Sequence, residues 1–138
     1  MMGVPGIHDI AAEDHDRALQ ILRQLRPALD KPALLRHLGG QSGYRLIGSF
    51  TPMLSGLIGM RVVETLARGR YLHVDDLIVA ESYRGQGIGR ALLSFAEGEA
   101  RRLDCSAVFL DSFEAVLPFY EKHGYAPHDS MLVRKPLK

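Results

Sequence analysis

Three glycines that alternate along the chain, Gly85, Gly87 and Gly89, lie between a β-rich stretch and the longest helical pattern of the sequence. Glycine lets the backbone approach a ligand closely and present its N–H groups. The first N–H groups of the following helix have no partner inside the helix, and the helix dipole favours an anion there. Arg84 and Arg90 add positive charge on both sides of the glycines. The sequence therefore predicts a strand, an anion-binding turn and a helix, in that order.

The spacing of this glycine-rich turn excludes two common phosphate-binding motifs. A Walker A loop needs Lys followed by Ser or Thr after its last glycine, whereas Gly89 is followed by Arg90 and Ala91. A dinucleotide fingerprint that starts at Gly85 needs a glycine at position 90, where this chain has an arginine. The turn of that fingerprint also follows an early strand rather than an antiparallel meander. The spacing that remains is Arg-x-x-Gly-x-Gly, formed by Arg84, Gly87 and Gly89.

The remaining patterns predict one mixed α/β domain over residues 1–138. Apolar residues at helical spacing predict helices, and β-rich runs bounded by turn residues predict strands. The predicted elements are, in order, a short edge strand over 4–10, helices over 13–25 and 31–38, a meander of three strands over 44–50, 54–66 and 70–79, a helix over 88–103, a strand over 107–111, a helix over 114–123 and a last strand over 131–135. This β-α-α-β-β-β-α-β-α-β order predicts a central mixed, mostly antiparallel sheet with helices on both faces and one parallel crossover.

The composition is that of an average globular chain. Of the 138 residues, 46% are hydrophobic and 24% are charged, and the net charge of +1 gives no argument for a nucleic-acid or membrane-surface partner. No apolar run approaches the ~20 residues of a membrane span, and residues 1–10 lack the basic start and apolar core of a signal peptide. The single cysteine, Cys105, fits a reducing compartment, so we expect a cytoplasmic protein. The six histidines include no His-x-x-x-His pair, so we expect no metal site.

Two motifs together resemble the GNAT family of N-acetyltransferases. The family's pyrophosphate loop has Arg or Gln, two residues, Gly, one residue, and Gly or Ala, and Arg84, Gly87 and Gly89 match it. The second motif is Phe-Tyr-Glu-Lys-His-Gly-Tyr over 119–125. The order of the predicted elements also follows the family over most of the chain. The stretch that begins Gly-Arg-x-Leu-x-Val-Asp-Asp-Leu at Gly69 is further similar to a branch often labelled histone-acetyltransferase-related.

The resemblance implies a three-layer α/β/α fold and an enzyme that moves the acetyl group of acetyl-coenzyme A directly to a primary amine through a ternary complex. Acetyl-coenzyme A would be the cosubstrate, without a metal ion. The acceptor would be a small-molecule amine or an amine of a protein or peptide, and a homodimer is compatible with the family. The implied cofactor-binding residues are Leu77, Ile78 and Val79 for the pantetheine arm, Arg84, Gly85, Gln86, Gly87, Ile88, Gly89 and Arg90 for the pyrophosphate, and Phe119.

The resemblance also implies a catalytic role for Tyr120. In the family, a tyrosine in Tyr-Glu-Lys-x-Gly-Phe/Tyr faces the sulfur and protonates the departing thiolate. The alternative is that Tyr120, like its aromatic neighbours Phe119 and Tyr125, is only a core residue. Many relatives carry an asparagine seven residues before this tyrosine, which bonds the pantetheine, but Phe113 stands there in this chain.

Three polar residues interrupt the apolar strand before the loop. Alternation with period two puts His73, Asp75, Leu77 and Val79 on one face and Leu72, Val74, Asp76 and Ile78 on the other. A carboxylate on a buried strand must be paired, solvated or functional, so we expect Asp75 or Asp76 to line the acceptor cleft. Relatives place their general base six residues before Val79, so the resemblance makes His73 the base, with Asp75 as its orienting partner or the amine anchor. The alternative is that His73 is a cross-strand packing residue.

Two other kinds of function fit the same motifs. A catalytically weak acyl-coenzyme A sensor would keep the loop without turnover, and a nucleotide-binding regulator would bind ATP in place of coenzyme A. A thiol-release assay with a panel of amines, compared with direct binding of acetyl-coenzyme A, separates both from an enzyme. The sequence leaves open a protein lysine, a peptide N-terminus, a polyamine, an amino acid or an antibiotic as the acceptor.

Overall fold

Five strands form one sheet, and helices cover both of its faces. A computed structural model of the protein describes residues 6–138. The strands lie side by side in chain order: β1 (Ile7–Asp9), β2 (Arg45–Phe50), β3 (Leu54–Thr65), β4 (Gly69–Val79) and β5 (Val108–Leu110). The helices are α1 (His15–Leu22), α2 (Lys31–Gly39), α3 (Ile88–Arg102) and α4 (Leu117–Glu121). Neighbouring strands are antiparallel except for β4 and β5, which are parallel across α3, as predicted.

Most helix boundaries follow from local sequence. At α2, the Asp30 carboxylate caps the helix by accepting a hydrogen bond from the Ala33 amide at 2.9 Å, and Pro32 is tolerated in the first turn. The helix predicted over 13–25 is shorter, because a 3₁₀ turn (Ala12–Asp14) precedes α1 and the chain leaves the helix after Leu22. The helix predicted over 114–123 is likewise a 3₁₀ turn (Glu114–Val116) followed by the short α4.

Two hydrophobic clusters bind the helices to the sheet, one on each face. On one face, α3 packs Leu92 and Leu93 against Ile58 and Leu72 of the central strands. On the other face, α1 and α2 pack against the sheet through a second set of buried apolar residues, which includes Ile21, Leu22, Leu34, Leu46 and Leu57. The predicted layers, with a mixed sheet between helices, are therefore confirmed. Within residues 6–138, every helix is too short or too polar to cross a bilayer.

Both ends of the chain differ from the predicted elements. Residues 4 and 5 of the first predicted strand lie outside the described residues, and the edge strand observed is β1. The last predicted strand, over 131–135, is wrong, because no strand within residues 6–138 pairs with it. Met131, Leu132 and Val133 are 83–87% exposed. Three consecutive apolar residues cannot all face one side of a sheet, so the stretch lacks the alternation of a half-buried edge strand.

An additional residue in β4, Asp75, forms a β-bulge that the sequence analysis did not foresee. On β3, Gly59 pairs with Asp76, but the next residue, Met60, pairs with Val74. Asp75 therefore has no partner of its own on β3 and is the additional residue of β4. Such a bulge reverses the alternation of side chains along the strand beyond it.

The predicted faces of β4 are consequently wrong beyond the bulge. Leu72 and Val74 before it, and Leu77 and Val79 after it, all pack in the cluster on the α3 side. Period-two alternation had put His73 on one face with Leu77 and Val79, but in the structure His73 lies on the opposite face. The side chains of His73, Asp75 and Asp76 instead lie on the side of α1.

Candidate active site

β4 and β5 separate at one end of the sheet. Three pairs of residues join these parallel strands, and the last of them is Val74 with Leu110. Beyond it, the edge of β4 from Asp75 to Val79 has no strand beside it in the described part of the chain. Backbone groups on such an edge lack ladder bonds and can pair with an extended ligand. The loop before α3 begins where this open edge ends.

The glycine-rich loop presents a row of amides beside the open edge. Gly85 and Gly87 both have φ of +80°, a left-handed conformation that favours glycine, and Gly87 directly precedes the first turn of α3. Within residues 6–138, the amides from Gly85 to Arg90 have no hydrogen-bond acceptor. Consecutive free N–H groups at the N-terminus of a helix form a binding site for phosphate oxygens.

The two arginines that flank the loop have different surroundings. The Nε of Arg84 donates to the carbonyl of Val79 at 3.2 Å, and a terminal nitrogen donates to the Gln24 side chain at 3.2 Å. The guanidinium of Arg84 thus closes the turn between β4 and α3 and connects it to the segment after α1. Arg90 lies exposed in the first turn of α3. Both arginines are exposed, and the Arg84 guanidinium already donates to two acceptors.

Gly89 leaves space between the end of β4 and α4. A Cβ added at Gly89 would lie 3.6 Å from Cζ of Phe119 and 3.7 Å from Cγ2 of Val79. The first turn of α3, the end of β4 and the aromatic motif therefore meet at one place. The structure brings together predicted cofactor-binding positions that are 40 residues apart in the sequence.

Two tyrosines of the second motif differ in the partners of their hydroxyl groups. Tyr120 is partly buried, with its ring centroid 5.2 Å from that of Phe119 and 5.9 Å from that of Tyr125. Burial raises the pKa of the Tyr120 hydroxyl, which keeps its proton in place at neutral pH. Tyr125 donates to Glu97 at 2.8 Å, whereas the Tyr120 hydroxyl has no partner in the part of the chain described. Of these two hydroxyls, that of Tyr120 has its proton free for a bound molecule.

His73 and Asp75 contact each other, as the sequence analysis expected. The Nδ1 of His73 lies 3.0 Å from Oδ1 of Asp75, and Arg61 donates to both oxygens of that carboxylate at 2.6 and 2.7 Å. Burial raises the pKa of Asp75, but hydrogen bonds from Arg61 and His73 outweigh burial and hold this pKa at about 2. Asp75 is therefore ionised and can only accept, so Nδ1 carries the proton and Nε2 of a neutral His73 is the basic nitrogen. That Nε2 lies 3.7 Å from the Asp111 carboxylate.

Asp76 lies on the same side of the sheet as Asp75, although alternation had put the two on opposite faces. Its Oδ2 accepts a hydrogen bond from the Tyr44 hydroxyl at 2.8 Å, and its Oδ1 accepts from Arg26 at 3.0 Å. Arg26 also donates to the backbone carbonyl of Asp75 at 3.3 Å. The bulge thus places two consecutive carboxylates on the α1 side, each with its own arginine.

Sequence reasoning missed the three residues that hold these carboxylates, namely Arg61, Tyr44 and Arg26. Arg61 is the cross-strand neighbour of His73, so the register of β3 against β4 would have identified it. Tyr44 reaches Asp76 from the residue directly before β2, and Arg26 reaches it from the segment after α1, and no local pattern in the sequence connects them.

Comparisons with known proteins agree with this geometry. A model of the acetyltransferase (GNAT) family matches residues 7–125. The chain is 43% identical over 60 residues to a glucosamine 6-phosphate N-acetyltransferase of Trypanosoma brucei brucei, covering 44% of this chain and 41% of that protein. It is 41% identical over 66 residues to an acetyltransferase of Agrobacterium fabrum, covering 47% of each. The crystal structure of a Trypanosoma brucei acetyltransferase matches with a TM-score of 0.79 and 27% identity over 94% of this chain and 98% of that one.

The chain therefore belongs to the acetyltransferase (GNAT) family, because the family model covers most of its length. The resemblance drawn from the loop and the aromatic motif is confirmed. In both curated relatives, the match spans less than half of the protein's length. Nothing in these matches distinguishes the histone-acetyltransferase-related branch, which stays a prediction.

Proposed function

We propose that residues 1–138 form a single N-acetyltransferase domain, which moves the acetyl group of acetyl-coenzyme A directly to a primary amine in a ternary complex. The observation that carries this proposal is the open edge of β4. It connects the free amides of the glycine-rich loop with the His73–Asp75 pair, so one extended ligand at this edge would reach both. The names of the relatives, which are N-acetyltransferases and acetyltransferases, support the same class of reaction.

The residues present fit acetyl-coenzyme A, which supplies an acyl group as a reactive thioester. The amides from Gly85 to Arg90 would hold the pyrophosphate, since they have no acceptor within residues 6–138. The open edge from Leu77 to Val79 would pair with the amides of the pantetheine arm, and Phe119 would line its path beside Gly89. A row of donors, an open strand edge and an apolar wall suit the three chemically different parts of this cosubstrate.

Two side chains would handle the two protons that acetyl transfer moves, one as a base and one as an acid. An amine must lose a proton before it attacks, and Nε2 of His73 is the basic nitrogen that would accept it. Asp75, fixed by Arg61, would hold the imidazole and stabilise its cationic form. The leaving thiolate needs a proton, and the hydroxyl of Tyr120 would supply it. His73 and Asp75 face the α1 side, whereas Tyr120 packs with the α3 cluster, so donor and acceptor would approach from opposite sides of the sheet.

Thiol release should depend on both acetyl-coenzyme A and an amine. Direct transfer in a ternary complex predicts intersecting lines in double-reciprocal plots of initial velocity, whereas a covalent acyl-enzyme predicts parallel lines. Cys105 is the only thiol of the chain, so a covalent acyl-cysteine would have to form there. Direct transfer needs no thiol of the protein, so Cys105→Ser should leave the rate unchanged. Binding of acetyl-coenzyme A without thiol release over a broad amine panel would favour the sensor, and binding of ATP without coenzyme A would favour the nucleotide-binding regulator.

The pH dependence of kcat/KM tests the role of His73. We expect kcat/KM to fall as the pH is lowered, because the proposed base must be free of its own proton to accept that of the amine. Asp75 has its pKa at about 2, so its protonation is confined to strongly acidic solution and is separable from this decrease. His73→Gln should lower kcat/KM at neutral pH and flatten this limb, and Asp75→Asn should lower kcat because the imidazole loses its orienting carboxylate.

The acceptor's own basicity can produce a similar limb, so the profile needs acceptors of different basicity. His8→Gln on the edge strand β1, which lies three strands away from β4 in the sheet order, is the matched control and should retain the wild-type profile. A limb that moves with the acceptor and persists in His73→Gln would return His73 to the role of a packing residue.

A further inference from the structure

A cavity of about 490 Å³ opens on the α1 side of the sheet. It lies between α1, the segment that joins α1 to α2, α2 itself and the strands, and its volume is within the range of small-molecule sites. Six of its lining residues are apolar: Leu22, Leu25, Pro27, Ala28, Leu29 and Leu34.

One end of this cavity is polar. Asp76 supplies the only carboxylate of the lining, and its side chain is 15% exposed, with one oxygen bonded to Tyr44 and the other to Arg26. Each carboxylate oxygen keeps a second lone pair, so Asp76 can still accept a hydrogen bond from an ammonium or amine group. Arg26 is about half exposed, so its side chain has room to move when a ligand enters.

The same polar end adjoins the proposed base. Arg26 bonds to the side chain of Asp76 and also to the backbone carbonyl of Asp75, which is the partner of His73. The bulge therefore puts the carboxylate of the cavity and the carboxylate that orients His73 on consecutive residues and on one face. An amine held at Asp76 would lie next to the part of β4 where its proton is to be removed.

We propose that this cavity binds the acceptor, and that the acceptor is a primary amine carried on an apolar body. This inference rests on the proposed function and names its substrate class. The nitrogen would be bound at Asp76, and the hydrocarbon would lie along Leu25, Leu29 and Leu34. A simple alkyl or arylalkyl amine and an apolar amino acid share this chemistry, and they differ in whether Arg26 has a carboxylate to bind.

A sugar phosphate does not match the same lining. The lining has one arginine, Arg26, and its charge is already compensated by Asp76 at 3.0 Å. A phosphate favours sites with surplus positive charge and several donors. Sugar hydroxyls buried against leucine would also lose hydrogen bonds to water without replacement. Glucosamine 6-phosphate, the acceptor for which the trypanosomal relative is named, therefore does not fit this cavity.

Binding of a chain-length series to the coenzyme A-bound protein tests this proposal. In calorimetric titrations of the full chain from n-butylamine to n-octylamine, each buried methylene should tighten binding about fourfold. n-Hexanol, which lacks the amine, should bind more weakly than n-hexylamine, and glucosamine 6-phosphate should bind more weakly still. Affinity that does not grow with chain length, or that is higher for glucosamine 6-phosphate, would overturn the proposal.

Variants assign the binding to this cavity. Leu25→Gln and Leu29→Gln change partly exposed residues of the cavity wall, so the protein should fold. Both variants should reduce the gain in affinity for each methylene added to the amine. Leu35→Gln, on α2 but outside the lining, is the matched control and should bind like wild type. Asp76→Asn should weaken the binding of n-hexylamine and leave the binding of n-hexanol unchanged. Equal losses for both ligands, or a full loss in the control, would contradict the assignment.

A last comparison separates the two sources of an apolar amine and the two proposals. If the natural acceptor is an amino acid, Arg26→Met should weaken the binding of phenylalanine but not that of 2-phenylethylamine. If the natural acceptor is a simple amine, Arg26→Met should leave the binding of both ligands unchanged. Thiol release with glucosamine 6-phosphate but not with any apolar amine would overturn the cavity assignment and leave the acetyltransferase intact. Failure of acetyl-coenzyme A to bind at all would overturn the proposed function instead.

Discussion

Tyr120→Phe is expected to lower kcat by about 10²–10⁴-fold, the usual contribution of a general acid. The substitution keeps the ring and its packing against Phe119 and Tyr125, and it removes only the hydroxyl. That hydroxyl has no partner within residues 6–138, so stability should change little. The affinity for acetyl-coenzyme A, measured separately by titration, should stay within about twofold because no binding contact is lost.

Tyr125→Phe is the matched control for this experiment. It removes a hydroxyl from the same aromatic cluster, but one that donates to Glu97. It should lower the midpoint of thermal unfolding, since Glu97 loses its donor, and it should retain kcat. If Tyr120→Phe has wild-type kcat with saturating substrates, Tyr120 is a core aromatic and the thiolate takes its proton from elsewhere.

Gly89→Val is expected to abolish the stabilisation of the protein by acetyl-coenzyme A. A ligand that binds only the native state at a hundred times its Kd adds about 2.7 kcal/mol to the unfolding free energy. Gly89 has no positive φ, and an added Cβ makes ordinary contacts with Phe119 and Val79, so the variant should fold. Its side chain would nevertheless fill the space that the cosubstrate needs between α3, β4 and α4. The measurement is the unfolding temperature with and without acetyl-coenzyme A.

Gly98→Val is the control, because it makes the same change in the same helix where nothing lies within 4 Å of the new Cβ. It should keep the full shift in unfolding temperature. Gly87→Val should also lose the shift, but its φ of +80° strains valine and lowers stability by itself, so Gly89→Val is the more informative variant. If wild type shows no shift at millimolar acetyl-coenzyme A, the proposed cosubstrate is wrong.

Local spacing predicted the parts of the fold that depend on neighbours in sequence. Periodicity predicted the three-strand meander and α3, and the glycines predicted the turn before α3. The structure has these elements within a few residues of the predicted bounds. The contact between His73 and Asp75 also followed from a spacing of two residues along a strand. The stretch over 131–135 was predicted as a strand from composition alone, without a partner strand to pair with it.

Long-range pairing decided what the sequence did not predict. The bulge at Asp75 depends on how β3 and β4 pair, and no residue type in β4 indicates it. The same bulge determines that Asp76 meets Tyr44 and Arg26, from elements 32 and 50 residues away. Arg84, one of the two arginines predicted beside the phosphates, donates to a backbone carbonyl and to Gln24, and local spacing did not indicate these partners.

The bulge gives β4 two phases, and its position separates them. Before Asp75, even-numbered residues such as Leu72 and Val74 face the α3 core, and after Asp76 odd-numbered residues such as Leu77 do so. Deleting Asp75 is therefore not comparable with replacing it. A deletion would leave a regular ladder in which Leu72, Val74, Leu77 and Val79 keep their places on the α3 side, but it would remove the carboxylate that contacts His73. The additional residue is therefore what gives β4 two adjacent carboxylates on the α1 side without turning any apolar residue out of the core.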